Sequence, residues 1–291
     1  MSIHPFLFVL ALGCVTGVSA EDAPAGPVNS AKDNGDSTPR PPDPMREFRG
    51  VWITTIHNVD WPSREDLPEA KQKAELITIL DRCADLQLNA VVLQVRSGCD
   101  ALYPSDLEPW CPWLTGTMGK SPGYDPLQFA IEAAHERGLE LHAWFNPFRA
   151  VNSKFVPVSK GHISRTNPEY TCRYGDKVWL DPAFSVVRER ALNVVRDVLK
   201  RYDVDAIHLD DYFYPYPVKV GDSYKDFNDS KTWSAYTESG GTLSRGDWRR
   251  KHVNDFVSKL HTLVREEKPT CKFGISPFGI YRPGQPVQVK A

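Results

Sequence analysis

The stretch Asp205-Ala206-Ile207-His208-Leu209-Asp210-Asp211-Tyr212-Phe213-Tyr214-Pro215-Tyr216-Pro217 decides the fold of this chain. It follows a run over 183–202 in which Val186, Val187, Ala191, Val194, Val195, Val198 and Leu199 make one apolar stripe, the spacing of a helix. Successive side chains of a strand point to opposite faces. Ile207 and Leu209 therefore share an apolar face, and Ala206, His208 and Asp210 share the other. A helix that feeds such a strand, which then ends in two acids and an aromatic, proline-rich loop, fits a parallel α/β fold. In those folds the chemistry sits at the carboxyl ends of the strands. Asp210 occupies that position. The competing reading is a carboxylate that caps a helix or tightens a turn.

Four other segments have the same design: 46–55, 89–96, 139–146 and 272–277. Between them the apolar spacing predicts helices over 69–86, from Asp125-Pro126 to near Gly138, and over 247–267. Asp125-Pro126 and Asp181-Pro182 are cap-plus-proline helix starts. The connections after strands are long and those after helices short, the pattern of a TIM-type (β/α) barrel. Parity puts Val51, Ile53, Val91, Leu93, Val95, Leu141, Ala143, Phe145, Phe273 and Ile275 against helices. The same parity turns Trp52, Thr54, Gln94, Arg96, His142, Trp144, Asn146, His208, Asp210 and Ser276 into one shared mouth.

The bulk properties bound the function. The chain has 291 residues, 41% hydrophobic and 25% charged, with a net charge of -2, so no general attraction to nucleic acid or to an anionic membrane is expected. Residues 6–18 are almost wholly apolar but too short to span a bilayer, and Val18-Ser19-Ala20 follows as a small-residue cleavage pattern. The expectation is a signal peptide over 1–20 cut after Ala20, hence a secreted or periplasmic protein; lipidation at Cys14 is the alternative. Residues 21–44, rich in Pro, Asp, Ser, Ala and Gly, read as a disordered linker, and the folded domain as 45–291. No later segment is apolar enough to cross a membrane. Cys99 and Cys111 flank a loop that a disulfide could bridge, and Cys83 reads as a buried apolar residue.

At these strands the chain resembles a known family, the glycosyl-hydrolase-like family 10. The segments that carry the resemblance are Phe48-Arg49-Gly50-Val51-Trp52-Ile53, Asn89 through Arg96, His142 through Arg149, Trp179-Leu180-Asp181-Pro182, Ala206 through Pro215, and Ser276-Pro277-Phe278-Gly279. The resemblance covers about 46–284 and implies a TIM-like barrel that acts on glycans; some relatives cleave peptidoglycan strands stripped of their peptides. It also implies further strands after Phe278, so the expected domain is a barrel truncated to about five β-α units.

Glycoside hydrolysis uses two carboxyl groups, one ionised at the anomeric carbon and one protonated toward the leaving oxygen, and needs no cofactor. Asp210 is the candidate for the first role and Asp211 stands next to it, their roles exchangeable at this stage. Asp100 and Asp181 are further candidates for the second carboxylate. Arg96, Arg149, His142, Asn146, His208, Gln94 and Ser276 are candidate donors to sugar hydroxyls or to a lactyl carboxylate. Trp52, Trp61, Trp110, Trp113, Trp144 and Tyr212 offer flat faces on which a pyranose can stack. Two other classes compete: a metal hydrolase built on His57, His142, His208 and Asp210, although no metal-binding spacing occurs, and a non-catalytic glycan-binding protein.

Overall fold

The computed structural model describes residues 47–152 and 157–277; the expected signal peptide, the linker, Cys14 and the Phe278-Gly279 end of the last motif lie outside them. In chain order come β1 (Gly50–Ile53), α1 (Glu69–Asp85), β2 (Ala90–Arg96), α2 (Pro126–His135) and β3 (Glu140–Phe145). An excursion then carries β4 (Arg149–Val151), α3 (Ile163–Thr166), β5 (Thr171–Tyr174) and β6 (Lys177–Leu180). The chain returns through α4 (Ser185–Arg201) to β7 (Ala206–Leu209). A hairpin of β8 (Lys219–Val220) and β9 (Ser223–Tyr224), then α5 (Ser230–Glu238) and α6 (Arg245–Glu267), lead to β10 (Lys272–Ile275).

β1, β2, β3, β7 and β10 form one parallel sheet in that order. Each strand lies beside the one that precedes it in the wall, and a helix connects them. A doubly wound sheet would reverse its order at a switch point; this one never reverses, so the fold is α/β with a TIM-barrel-like wall. Among the described residues β1 and β10 are its two edges.

The two faces follow the parity of the sequence. Ile53, Val91, Leu93, Val95, Leu141, Ala143, Phe145, Ile207 and Leu209 are buried in one cluster with the helices. α1 contributes Leu76 and Leu80, α2 Leu127 and Ile131, α4 Val187 and Val194, and α6 Phe256 and Leu260. Each such aliphatic or aromatic side chain contributes about 1.5–3 kcal/mol when fully buried. On the opposite face Trp52, Val92, His142 and Ala206 stand level across the strands. Gln94, Trp144, His208 and Gly274 form the level above.

Local signals explain most boundaries. Asp125 accepts from the amides of Leu127 and Gln128, with Pro126 in the first turn of α2, and Gly138 takes φ 68° after its end. Several expectations need correction. α4 begins at Ser185 with Phe184 as its uncapped N-cap, so Asp181 is not its cap. Asp181 instead accepts from the Ala183 amide at 2.9 Å and from the Thr232 hydroxyl on α5 at 2.6 Å, closing the turn before α4. Val186, placed on the apolar stripe, is 47% exposed, because it lies about 100° around α4 from the buried row Val187, Ala191, Val194 and Val198. Cys99 and Cys111 are free and buried; the Cys99 sulfur lies 3.3 Å from Arg96 Nη2 and 3.4 Å from the Arg149 carbonyl. The segment over 150–180 is an antiparallel sheet, β4-β6-β5, and the polar loop after β7 contains the hairpin and α5.

Arg96 leaves the end of β2 and is 1% exposed. Its Nε and Nη2 donate to the two oxygens of buried Glu108, each at 2.6 Å. Nη1 donates to the carbonyls of Asn146 and Pro147, and the remaining Nη2 hydrogen faces Cys99. All five N–H groups are occupied, so Arg96 is not free to meet a sugar. It is an internal strut that fixes the backbone after β3, and the Glu108 charge holds its pKa well above the ordinary value despite burial.

Replacing Glu108 by Gln would leave a buried guanidinium without its counter-charge. The expected loss is about 3–5 kcal/mol, read as a lower urea midpoint with an unchanged slope; a midpoint within error of wild type would show that the pair holds nothing.

Candidate active site

Past the carboxyl ends of β1, β2, β3 and β7 the side chains form one directional hydrogen-bond relay. The amides of Thr55 and Ile56, just after β1, donate to Gln94 Oε1 at 3.1 and 3.0 Å. Two backbone donors on one oxygen leave Gln94 Nε2 as the donor on the other side. It gives a hydrogen bond to Asn146 Oδ1 at 2.7 Å, and Arg149 Nη2 donates to the same oxygen at 2.6 Å. Asn146 must therefore present its Nδ2 donor to Asp210 Oδ2. Gln94 and Asn146 are both fully buried, so no water competes for this sense. Trp144 Nε1 adds a bond to Asp210 Oδ2 at 3.2 Å, and the Tyr212 amide donates to Oδ1 at 3.1 Å.

Asp210 thus accepts from three donors, which by themselves favour its ionised form. Burial raises its pKa above the ordinary carboxylate value. The Tyr212 amide, the Arg149 charge and Asn146 pull the other way, and the neighbouring Asp211 charge raises it further. The Asp210 turn caps no helix, because β7 is followed by the aromatic loop and not by a helix start.

Asp210 forms part of a groove of about 250 Å³ that is also lined by Ile56, Gln94, Trp144, Arg149, Asn152, Lys177, Asp211, Tyr212 and Tyr216. Asp211 and Asp210 are the carboxylates in this lining. Tyr216 donates to Asp211 Oδ2 at 2.6 Å and packs edge-on against Tyr212 at 4.6 Å. Arg149 is not a surface ion pair: it is 7% exposed, donates from Nε to the Ser97 carbonyl at 2.7 Å, and lies over the Tyr212 ring at 5.4 Å.

Four further candidates lie on the sheet outside the groove lining. Trp52 packs edge-on against Trp144 at 4.6 Å and against His208 at 4.8 Å. His208 bonds Ser276 Oγ at 3.0 Å, and burial, followed by the His142 charge, lowers its pKa to about 4, so its ring is neutral at physiological pH. A Cβ on Gly274 would come within 2.8 Å of His208 Nδ1, so this strand position leaves room for the ring. His142 bonds Glu140 at 3.0 Å and stacks on Phe48 at 5.4 Å, two strand levels beneath Asn146. Trp52, His142, His208 and Ser276 do not line the groove.

The remaining candidates are scaffold or periphery. Asp100 is buried and accepts from the amides of Ser97 and Gly98, each at 2.9 Å, and Asp181 closes its turn; neither lines the groove. Trp61 is fully buried, with Nε1 donating to the Gln72 carbonyl at 2.8 Å. Trp113 packs against His57 at 4.7 Å beside the groove. His57, His142, His208 and Asp210 do not converge as a ligand set, and among the described residues no three His, Cys, Asp or Glu side chains are grouped to hold a metal. Sequence reasoning missed Ile56, Asn152, Lys177 and Tyr216. Tyr216 alone had a signal, five residues after Asp211 in the same loop; Lys177 and Asn152 lie in the excursion whose pairing no periodicity announced.

Residues 47–287 match the family described as Glycosyl hydrolase-like 10. Glycosyl hydrolase YngK of Bacillus subtilis (strain 168) is 41% identical over 239 residues, covering 81% of this chain and 46% of that protein. Glycosyl hydrolase DigH of Escherichia coli (strain K12) is 33% identical over 254 residues, covering 81% of this chain and 56% of that protein. The chain spans about half the length of the curated relatives it matches. Among solved structures, α-L-fucosidase isoenzyme 2 from Paenibacillus thiaminolyticus has a TM-score of 0.53 at 15% identity, over 84% of this chain and 34% of that one. That likeness is one of fold, and it agrees with the barrel-type wall. On the family match and the two close relatives, this chain belongs to the glycosyl hydrolase-like 10 family.

Proposed function

We propose that the chain is a glycoside hydrolase whose groove takes a polysaccharide or the glycan strand of peptidoglycan, in a protein exported by the apolar segment over 6–18. The observation that carries this reading is the relay from the Thr55 and Ile56 amides through Gln94 and Asn146, which ends on Asp210 in the lining of the groove. A carboxylate fixed by three donors keeps one lone-pair direction of Oδ1 for the groove, the arrangement needed to stabilise or attack an anomeric carbon. Asp211 supplies the second carboxyl: Tyr216 donates to its Oδ2, which leaves Oδ1 to carry a proton toward the leaving oxygen. Trp144 and Tyr212 border the groove and offer faces for the sugar. The wall belongs, in this proposal, to a closed (β/α) barrel. Among the described residues no helix is long and apolar enough to cross a membrane.

The test is release of soluble sugar from purified bacterial glycan strands, with and without peptides. Asp210→Asn is expected to lower kcat by about a thousandfold or more, as loss of a group acting in the transition state does. Turnover by wild type that survives in Asp210→Asn would remove Asp210 from the chemistry. Binding of glycan by both proteins without turnover by either would make the groove a binding site only.

The same substitution has a signed effect on stability. A carboxyl whose pKa is raised on folding holds its proton more tightly in the native state. Its stabilising contribution is present below the ordinary carboxyl range and is lost as pH rises through the native value. Asp210→Asn, which cannot ionise, is expected to melt above wild type at pH 7. The difference should vanish on acidification below the ordinary carboxyl pKa; an advantage that persists in acid would trace to something other than the charge.

Gln94→Glu retains acceptors for the Thr55 and Ile56 amides but loses the donor to Asn146. The expected result is a kcat lowered by about 10- to 100-fold through misplacement of the Asp210 carboxylate, with KM little changed. A change confined to KM would show that Gln94 contacts substrate and does not position Asp210.

A further inference from the structure

The groove lining holds two cations beside its two carboxylates. Arg149 on β4 and Lys177 on β6 both line it, together with Asn152. β4 and β6 pair antiparallel, Arg149 opposite Trp179 and Val151 opposite Val178, so one small sheet carries both cations. Arg149 is 93% buried by its 7% exposure, and its Nε and Nη2 are committed to Ser97 and Asn146. Its Nη1 has no hydrogen-bond partner among the described residues and belongs to a side chain that lines the cavity. Lys177 Nζ has one weak contact, 3.5 Å from the Tyr212 hydroxyl, and a ring contact with Tyr212 at 5.9 Å. Neither cation lies in a salt bridge with a carboxylate among the described residues, although ion pairs such as Arg96–Glu108 and Arg245–Asp229 form there.

We propose that Arg149, Lys177 and Asn152 form an anion subsite that takes the carboxylate of an acidic sugar beside Asp210. This inference rests on the hydrolase reading of the groove and adds its selectivity. The electrostatics make the pairing necessary. Asp210 and Asp211 line the same cavity, and a substrate carboxylate would be repelled from it unless cations faced the incoming group. Arg149 retains its Nη1 hydrogens as donors, and Lys177 is a compact charge on a flexible stem. The field is felt nearby: His57, in contact with Asn152, has its pKa lowered by burial first and then by Arg149 and Lys177. Two sources supply this chemistry, a uronic acid with its carboxylate at C6, and an amino sugar with a lactyl ether carboxylate at C3.

The experiment is a calorimetric titration of the full chain carrying Asp210→Asn, so that no probe is consumed. The probes are an oligo-uronate, a peptide-free oligosaccharide bearing lactyl carboxylates, and each of these with its carboxyl groups reduced to alcohols. The expected result is that one acidic probe binds about tenfold or more tightly than its reduced form, the value of a charge-assisted bond, and that the preference shrinks as salt rises. Adding Lys177→Gln should weaken the acidic probe far more than its reduced partner. The acidic probe that shows the preference identifies the source. Equal binding of acidic and reduced probes, or equal weakening of both by Lys177→Gln, would overturn the subsite and leave the cations as counter-charges to Asp210 and Asp211, with the glycan reading intact. Binding of none of the four probes would overturn both.

Discussion

Everything at the mouth of this sheet depends on the orientation of one buried amide. Asn146 has one oxygen and one nitrogen to offer, and burial removes water as an alternative partner for either. An unsatisfied amide in such a place costs about 1–3 kcal/mol, so the sense of the hydrogen bonds around it is imposed from outside. Two backbone amides after β1 impose it, because an N–H cannot accept. Gln94 passes that constraint to Asn146, and Asn146 passes it to Asp210. The position of the amide itself is set by the Arg96 guanidinium, which holds the carbonyls of Asn146 and Pro147. The ion pair with Glu108 therefore acts at the groove without touching it.

The cost of this arrangement is a carboxylate held against its preference for water. Burial raises the Asp210 pKa, and the three donors with the Arg149 charge only partly offset that. The Asp210 neighbourhood is otherwise stiff: Trp144, Trp52 and His208 pack edge to face beneath it, and Gly274 leaves the space that the His208 ring occupies.

The wall and its two faces were legible in the chain because each strand alternates. One parity is apolar enough to need helices, and the other carries Gln94, Trp144, Asn146, His208 and Asp210 at levels that the observed register brings together. Alternation gives the face of a residue but neither its height nor its partner: His142 stands two levels below Asn146, and His208, level with the groove-lining Gln94 and Trp144, bonds Ser276 and does not line the groove. Nor does it distinguish two arginines at neighbouring strand ends. Arg96 is an internal strut and Arg149 lines the groove, and the difference is Glu108, a loop residue with no periodic signal. Asp181-Pro182 had the sequence of a helix start, yet Thr232 on α5 claims the carboxylate and the helix begins later. The β4-β6-β5 sheet was unreadable for a related reason: its strands are 3–4 residues long, too short for a pattern, and they exist because they pair with each other.

That last sheet separates what the fold supplies from what its loops supply. Strand ends of the parallel wall deliver Gln94, Asn146 and Asp210, and their positions relative to one another are fixed by ladder hydrogen bonds and the relay. Arg149 and Lys177 arrive on the excursion between β3 and α4, anchored by the buried Trp179, whose ring meets Tyr212 at 5.1 Å. Lengthening or re-pairing that excursion would move the cations while leaving Asp210 where it is. In a (β/α) wall, reaction and selectivity can therefore change independently. The charges along this groove divide on that line: Asp210, from the wall, is the group on which bond cleavage would depend. Arg149 and Lys177, from the excursion, are the groups that would decide which sugar reaches it.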